Sequence, residues 1–123
     1  MPIKKPEPAQ HLVSGRLAEM QALQYLQQQG LRWQASNYRC KLGELDLLLW
    51  EGNTLVVVEV RYRKNDHYGS AAASITDQKQ QRIIKATQHY VIMHNLNQVA
   101  VRFDVVALTA GKPLEWIKNA FQT

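Results

Sequence analysis

The sequence predicts an α/β fold, in which a mixed central sheet contains a β-hairpin and is flanked by helices. Two strand-like runs, Leu45 to Trp50 and Leu55 to Val60, surround Gly52-Asn53, a glycine-first pair that suits a type II′ hairpin turn. A helical pattern follows the hairpin and leads to a further strand, and this order permits a right-handed parallel crossover. The expected order is therefore helix, hairpin, helix and strand.

Composition limits the class of protein. The 123 residues are enough for one domain, and 46% hydrophobic with 20% charged residues is typical of soluble globular chains. The net charge of +5 is compatible with a polyanionic partner but does not require one. A lone Cys40 excludes an internal disulfide framework and a cysteine-based zinc site. Because no apolar stretch reaches the length of a membrane span, we expect a cytoplasmic protein without membrane contact.

The beginning of the chain changes character near residue 14. Residues 1–13 contain three prolines and two lysines, so we expect a flexible arm that precedes a single domain of residues 14–123. Ser14 is a candidate N-cap for a first helix that runs to about Gln29. Gly30 then suits the C′ position, where glycine commonly ends a helix.

One acidic residue, Glu19, lies on the apolar stripe of this first helix. The stripe is otherwise formed by Ala18, Ala22, Leu23 and Leu26. A favourable interaction with the positive end of the helix, worth roughly 0.3–1 kcal/mol, would explain an acid at this position. The alternative is a role in a site, if the helix packs beside the hairpin and Glu19 points toward Asp46 and Glu59.

The segment between the first helix and the hairpin is expected to contain one short strand, Leu31 to Trp33. A polar stretch from Asn37 to Lys41 follows, and Gly43 leads into the hairpin. Arg39 and Lys41 of this stretch are close in sequence to the acidic residues of the hairpin. They are candidates for nucleic-acid binding.

The hairpin register places two carboxylates face to face. With the turn centred on Gly52-Asn53, the numbers of paired residues sum to 105, so that Asp46 lies opposite Glu59 and Glu44 lies opposite Arg61. The period of two places these four residues on one face, together with Leu48 and Val57. The other face is then continuous and apolar, and it carries Leu45, Leu47, Leu49, Val56, Val58 and Val60.

Like charges directly opposite each other on a sheet repel, and unpaired carboxylates in a partly buried face are costly. A divalent cation such as Mg²⁺ or Mn²⁺ takes oxygen ligands and would turn this repulsion into shared attraction. The alternative is that the charges line a solvated face and form cross-strand ion pairs. Both interpretations are open at this point.

A basic cluster, Arg61-Tyr62-Arg63-Lys64, ends the second hairpin strand. It could bind phosphates while Tyr62 stacks on a base, or it could be a solvated strand end. Thr76 is a candidate N-cap for a second helix from about Asp77 to His94. Lys79 and Arg82 of this helix are further candidates for phosphate contact, although such a face is also compatible with simple solvation.

The last part of the chain is expected to add strands to the sheet. Val99 to Leu108 forms a third good strand in which Asp104 is embedded, and Glu115 to Ile117 suits a short final strand.

The combination of a helix glutamate, a strand aspartate and Glu-x-basic on the next strand resembles the PD-(D/E)xK nuclease superfamily. More closely, three runs resemble the YraN family of bacterial predicted endonucleases, which are distantly related to archaeal Holliday junction resolvases. These runs are residues 43–48 (GELDLL), 57–61 (VVEVR) and 102–106 (RFDVV). The resemblance covers about Ser14 to Leu108 and also includes Gly15, Glu19, Tyr68-Gly69, Thr76 and Lys79.

The resemblance implies a restriction-endonuclease-like core and assigns roles to four residues. Asp46 and Glu59 would bind Mg²⁺ or Mn²⁺ with the carbonyl of Val60 and water, and Glu19 would contact the metal or a water bound to it. Arg61 stands where the superfamily usually has lysine, and an arginine stays charged at all ordinary pH values. Arg61 would therefore orient water or stabilise charge on the scissile phosphate, while the metal acidifies its water.

Two functions follow from the resemblance. The first is a metal-dependent endonuclease that hydrolyses DNA, branched or otherwise distorted, and the second is a non-catalytic nucleic-acid-binding module that retains the nuclease fold. RNA remains open as a partner, and symmetric cutting of two strands would favour a homodimer. Base-specific readout is not expected, because no recognition-helix pattern is present; binding should depend on the backbone and on salt.

Overall fold

The computed structural model describes residues 15–65, 67 and 69–123, which form a five-stranded sheet with two α-helices. The elements are α1 (Gly15–Gln28), β1 (Arg32–Cys40), β2 (Gly43–Glu51), β3 (Thr54–Arg63), a 3₁₀ turn η1 (Ala72–Ser74), α2 (Asp77–Met93), β4 (Ala100–Thr109) and β5 (Glu115–Phe121). Strands are adjacent in chain order; β3 and β4 are parallel, and the other neighbours are antiparallel. The predicted mixed α/β architecture is confirmed.

Helix α1 ends, and helix α2 begins, at residues that are typical of helix caps. Gly30 has φ +97°, and its amide and that of Leu31 donate hydrogen bonds to the carbonyls of Gln27 and Leu26, so that a Schellman motif ends α1. Thr76 caps α2 by accepting a 3.1 Å hydrogen bond from the amide of Lys79. The predicted arm of residues 1–13 and the predicted N-cap Ser14 lie outside the described residues.

The two edge strands are longer than predicted. β1 extends to Cys40 through the polar stretch that was expected to be irregular, because pairing with β2 continues from Arg32–Trp50 to Cys40–Gly43. β5 likewise continues to Phe121 rather than ending at Ile117, since it pairs with β4. Polar residues are acceptable in such strands because one side of an edge strand faces solvent.

The sheet has a buried layer on each face, and each layer contains one helix. On one face α1 contributes Ala18, Ala22 and Leu26, which pack with Leu47, Leu49, Val56, Val58, Val106 and Leu108. On the other face α2 contributes Ile83, Ile84, Ala86 and Tyr90, which pack with Leu45, Leu48, Leu55, Val57, Phe103, Val105 and Ala107. We call these the α1 face and the α2 face. Within the described ranges, no helix is long and apolar enough to cross a membrane.

The predicted hairpin register is correct near the turn, where the pairs Glu51–Thr54 through Leu47–Val58 sum to 105. Regular pairing of β2 with β3 ends there and does not continue to the expected opposition of Asp46 and Glu59. The alternation also breaks at this point: Leu45 packs on the α2 face, whereas it was expected beside Leu47 on the α1 face.

The cause is an irregularity shared by two strands. Ser36 pairs with Leu47 and Tyr38 pairs with Leu45, so that Asn37 and Asp46 occupy the intervening positions. Asn37 has φ +54°, a left-handed conformation that asparagine tolerates better than most residues. At this point of β2 the alternation is interrupted, since Leu45 and Leu48 pack on the α2 face and Leu47 packs on the α1 face.

Candidate active site

A cleft of about 190 Å³ opens at the end of the hairpin, between β2, β3 and α2. It is lined by Glu44, Asp46, Glu59, Lys79, Arg82 and Ile83. Two of the four residues that resemblance assigned to a nuclease site, Asp46 and Glu59, therefore face one space. Asp46 and Glu59 lie two residues from Leu48 and Val57, which both pack on the α2 face, so strand alternation directs both carboxylates to the cleft.

The Asp46 carboxylate is anchored to the neighbouring strand. Its Oδ2 atom accepts a 2.9 Å hydrogen bond from the backbone amide of Val60, the residue after Glu59. This bond replaces the cross-strand backbone contact that regular pairing would have made. It fixes the orientation of Asp46 beside Glu59.

The Glu59 carboxylate is more buried and less satisfied. The residue is 2% exposed, and its Oε1 atom lies 3.9 Å from the Nζ atom of Lys79, at the limit for an ion pair. Among the described side chains, its Oε2 atom has no hydrogen-bond partner. A buried polar atom without a partner costs free energy and indicates a strained or ligand-binding position.

Burial raises the pKa of both carboxyl groups, and neighbouring negative charges raise it further. Desolvation raises the pKa of Asp46 from 3.8 to about 6, against the lowering effect of the Val60 hydrogen bond. Desolvation, followed by the charge of Asp46, raises the pKa of Glu59 from 4.5 to about 8. Perturbed carboxyl groups that share a cleft are typical of functional sites.

Glu19 is near this pair but does not line the same cleft. Its Oε1 atom accepts a 2.7 Å hydrogen bond from the side-chain amide of Asn37, and its charge contributes to raising the pKa of Asp46. Across residues 15–65, 67 and 69–123, no group of three or more acidic, histidine or cysteine side chains is arranged to hold a metal ion. The predicted set of three carboxylates is thus present as a pair with a nearby third.

The pair nevertheless fits a divalent cation. Two carboxylates on adjacent strands face the cleft, and none of the described residues donates a hydrogen bond to the buried Oε2 atom of Glu59. A hard cation takes carboxylate oxygens and would supply the missing partner while it offsets the repulsion. Asp46 and Glu59 are the residues that could hold it.

Arg61 is placed differently from expectation. It follows Glu59 by two residues in β3, and its charge lowers the pKa of Glu59, but it is not one of the residues that line the cleft. Its Nε atom is buried and has no hydrogen-bond partner among residues 15–65, 67 and 69–123. Glu44, which was expected opposite Arg61, pairs with Arg39 instead: the Arg39 Nε and Glu44 Oε2 atoms are 3.5 Å apart.

Some of the other candidates for nucleic-acid binding line the cleft, and others lie elsewhere. Tyr62 is partly buried and packs against the α1-face core, so the structure does not bring its ring to the cleft. The Nη1 atom of Arg63 donates a 2.6 Å hydrogen bond to the Gly69 carbonyl. Lys41 and Lys64 are exposed outside the cleft, whereas Lys79 and Arg82 line it. Tyr68, part of the motif resemblance, lies outside the described residues.

Gly43 holds α2 against the cleft, a role that the sequence analysis did not predict. A Cβ atom at residue 43 would lie 2.8 Å from the Arg82 carbonyl oxygen, so only glycine permits this approach. Lys79 is one turn before Arg82 and is thereby brought to Glu59. Lys79 follows the cap Thr76 by three residues and is therefore in the first turn of α2, where a positive charge is unfavourable. This unfavourable position could have drawn attention to Lys79 from the sequence alone.

A second acidic residue, Asp104, is fully buried on the opposite, α1 face of the sheet. It accepts two 2.8 Å hydrogen bonds from the Arg102 guanidinium and one of 2.9 Å each from the Trp116 indole and the Asn119 amide. Arg102 also donates to Glu51 at the hairpin turn. Both carboxylate oxygens of Asp104 accept hydrogen bonds. The network therefore joins β2, β4 and β5, and we interpret it as structural.

Comparisons with known proteins agree on one family. The model described as uncharacterised protein family UPF0102 matches residues 18–108. A UPF0102 protein of Saccharophagus degradans is 51% identical over 114 residues, which is 92% of this chain and 96% of the relative. One from Legionella pneumophila is 47% identical over 109 residues (87% and 92%), and one from Pseudomonas fluorescens is 48% identical over 115 residues (92% and 96%).

Proposed function

Because the chain belongs to the UPF0102 (YraN) family, whose description names no activity, we propose its function from the cleft: a Mg²⁺- or Mn²⁺-dependent endonuclease that hydrolyses phosphodiester bonds in DNA. Branched or distorted DNA is the expected substrate, following the motif resemblance to junction resolvases. The same proposal assigns the fold to the restriction-endonuclease-like group. In support, α1 precedes the antiparallel strands β2 and β3. Helix α2 then connects β3 to β4, which is parallel to β3.

One observation carries the proposal: two carboxylates on adjacent strands share a cleft, and within the described part of the chain the buried Oε2 atom of Glu59 has no partner. A purely structural acidic pair would be expected to resemble Asp104, whose carboxylate is surrounded by donors. Asp46 and Glu59 instead line a cleft, and the Glu59 carboxylate has a buried oxygen for which the described residues supply no donor. This is the arrangement that a divalent cation and a phosphate oxygen would complete.

The residues of the cleft have separate roles in this proposal. Asp46 and Glu59 would hold the cation, which would supply Lewis acidity and a water of lowered pKa when bound. The amide of Val60 keeps Asp46 in place for this purpose. Lys79 and Arg82 line the same cleft and supply positive charge for the DNA backbone.

The reaction is a hydrolysis without redox change. A water oxygen forms the new bond to phosphorus as the ester bond on the opposite side breaks, one water proton is released, and the leaving oxygen takes up a proton. The protein contributes positioning and charge, which dominate catalysis of phosphoryl transfer. A homodimer would provide two such sites for symmetric cutting of a junction.

A second candidate function is a non-catalytic nucleic-acid-binding module that retains the fold. The observation that favours it is Arg61, which replaces the usual lysine of the superfamily and does not line the cleft. Such a module would bind DNA through its basic residues in a salt-dependent way. RNA would be an alternative ligand for the same surface.

The test is cleavage of labelled four-way junction, flap and linear DNA with Mn²⁺ or Mg²⁺. Wild type is compared with Glu59→Gln, and Glu115→Gln is the matched control because Glu115 is exposed at the start of β5. Metal-dependent cutting by wild type and Glu115→Gln that is lost in Glu59→Gln supports the endonuclease. Salt-sensitive DNA binding by all three proteins without any cutting overturns it and favours the module.

A further inference from the structure

The cation nearest to the carboxylate pair comes from a helix and not from the strand. The Nζ atom of Lys79 lies 3.9 Å from Glu59 Oε1, and the Lys79 side chain is 48% exposed while that of Glu59 is 3% exposed. The ammonium group therefore lies at the opening of the cleft, between the buried carboxylate and solvent. At 3.9 Å it is too far from Glu59 for a normal hydrogen bond, so its donors are available to another oxygen.

Arg61 interacts less with the carboxylate pair than Lys79 does. Its charge affects only Glu59 of the pair, and less than that of Lys79, whereas Lys79 lowers the pKa of both Asp46 and Glu59. The cleft lining includes Lys79 and not Arg61. Position in the sequence points to Arg61, but position in space points to Lys79.

The backbone holds Lys79 at this point. Thr76 begins α2 three residues earlier, and the contact between Gly43 and the Arg82 carbonyl sets the distance of the helix from β2. A lysine in the first turn opposes the helix macrodipole and is unfavourable there by itself. The acidic pair opposite it offsets this cost, so the location makes sense as part of the site.

We infer that Lys79 is the catalytic cation of the cleft, which binds a non-bridging oxygen of the scissile phosphate, and that Arg61 does not fill this role. The inference rests on the proposed function. Asp46 and Glu59 would hold the metal ion, which would supply Lewis acidity, and the ammonium group lies at the opening through which a phosphate would enter the cleft. Lys79 then acts as a fixed positive charge that stabilises the additional negative charge of the transition state.

The experiment compares Lys79→Gln, Lys79→Arg and Arg61→Gln with wild type, and uses Lys85→Gln as the matched control on an exposed part of α2. Single-turnover cleavage is measured at saturating DNA and Mn²⁺. Loss of one such charge contact is expected to slow the rate of Lys79→Gln by about 100-fold or more, with partial recovery in Lys79→Arg. Arg61→Gln should lose much less, and Lys85→Gln should match wild type. Equal or greater loss in Arg61→Gln overturns the inference.

A second readout does not depend on cleavage. Mn²⁺ affinity is measured by calorimetry without DNA. Removal of a positive charge about 4 Å from a metal-binding carboxylate should tighten Mn²⁺ binding by roughly tenfold in Lys79→Gln, and by less in Arg61→Gln. Unchanged affinity in Lys79→Gln counts against the inference. If wild type binds Mn²⁺ but cuts no DNA, the proposed function fails, and this titration still decides which cation faces the pair.

Discussion

The carbonyl oxygen of Arg82 and the Cα atom of Gly43 lie so close that a Cβ atom at residue 43 would be 2.8 Å from that oxygen. Real Cβ atoms essentially never approach another atom so closely. This contact sets how near α2 comes to the start of β2. It therefore also determines the width of the cleft in which Lys79 meets Glu59.

Gly43→Ala should accordingly displace α2 at the cleft. The clash is with backbone, which cannot rotate away, so we expect a loss of roughly 1–3 kcal/mol in the free energy of unfolding. Urea denaturation measures this change. Gly15→Ala is the matched control, because a Cβ atom there would have no neighbour within 4 Å. Equal stability of the two variants would mean that α2 is not held by this contact.

The protein without metal should lose stability as pH rises, because the folded state keeps protons that the unfolded state releases. The pKa of Glu59 is 4.5 when unperturbed and about 8 in the fold, so its contribution is fully present below about 4.5 and is lost as pH rises to about 8. Glu59→Gln removes this loss. Near pH 8 the variant should exceed wild type in free energy of unfolding by on the order of 3 kcal/mol.

This prediction is checked by urea denaturation in chelator at several pH values. The difference between Glu59→Gln and wild type should grow steadily across the window from about 4.5 to about 8. Glu115→Gln should give no such pH-dependent difference. A wild-type protein as stable at the upper end of the window as Glu59→Gln would show that the pair is not strained.

Mn²⁺ should stabilise the wild type against thermal unfolding, and more so at higher pH. Carboxylates bind metal only when they are deprotonated, and the pKa values of about 6 and about 8 place this change near neutrality. A metal concentration 100 times the dissociation constant would add about 2.7 kcal/mol. Differential scanning calorimetry measures the shift. Asp46→Asn should abolish it, and a full shift in that variant would exclude Asp46 as a ligand.

Asn37 should determine where Glu19 points. Its side-chain amide donates a 2.7 Å hydrogen bond to Glu19, and its backbone has φ +54°. Asn37→Gly keeps the backbone conformation and removes the hydrogen bond, so the fold should remain stable while Mn²⁺ affinity changes if Glu19 contributes to the site. Asn37→Ala adds strain and should be less stable than Asn37→Gly by about 1 kcal/mol. Equal Mn²⁺ affinity in Asn37→Gly and wild type would limit Glu19 to a structural role.

The sequence predicts the hairpin register near Gly52 because a two-residue turn fixes pairing on both sides of it. It does not predict the position of Leu45, since alternation counts residues and cannot detect that Asn37 adopts a left-handed conformation and breaks the pattern. The acidic pair could still be identified, because alternation from Leu48 and Val57 directs Asp46 and Glu59 to the same face of the sheet.

The contact between Lys79 and Glu59 could not be predicted from local sequence. The two residues are on different elements, and their distance depends on the packing of α2 against Gly43, a long-range backbone contact. The spacing rule that selects Arg61 uses only the strand that carries Glu59. Tyr62 shows the same limit, because local sequence does not predict that its side chain packs against the α1-face core.

Asp104→Asn should destabilise the fold without affecting the metal site. Asp104 accepts hydrogen bonds from Arg102, Trp116 and Asn119 on the α1 face, whereas the carboxylate cleft lies on the α2 face. An amide in its place removes the charge and directs N–H groups at donors, so we expect a loss of about 3–5 kcal/mol.

The control for this change is Glu51→Gln, because Glu51 contacts the same Arg102 from a more exposed position. Its loss should stay below about 1 kcal/mol, as for exposed ion pairs. Urea denaturation measures the free energy of unfolding of both variants. Calorimetry measures their Mn²⁺ affinity under conditions in which they remain folded. Weakened Mn²⁺ binding by folded Asp104→Asn would contradict the separation of the two acidic groups, since it would couple the α1-face network to the cleft through β3 and β4.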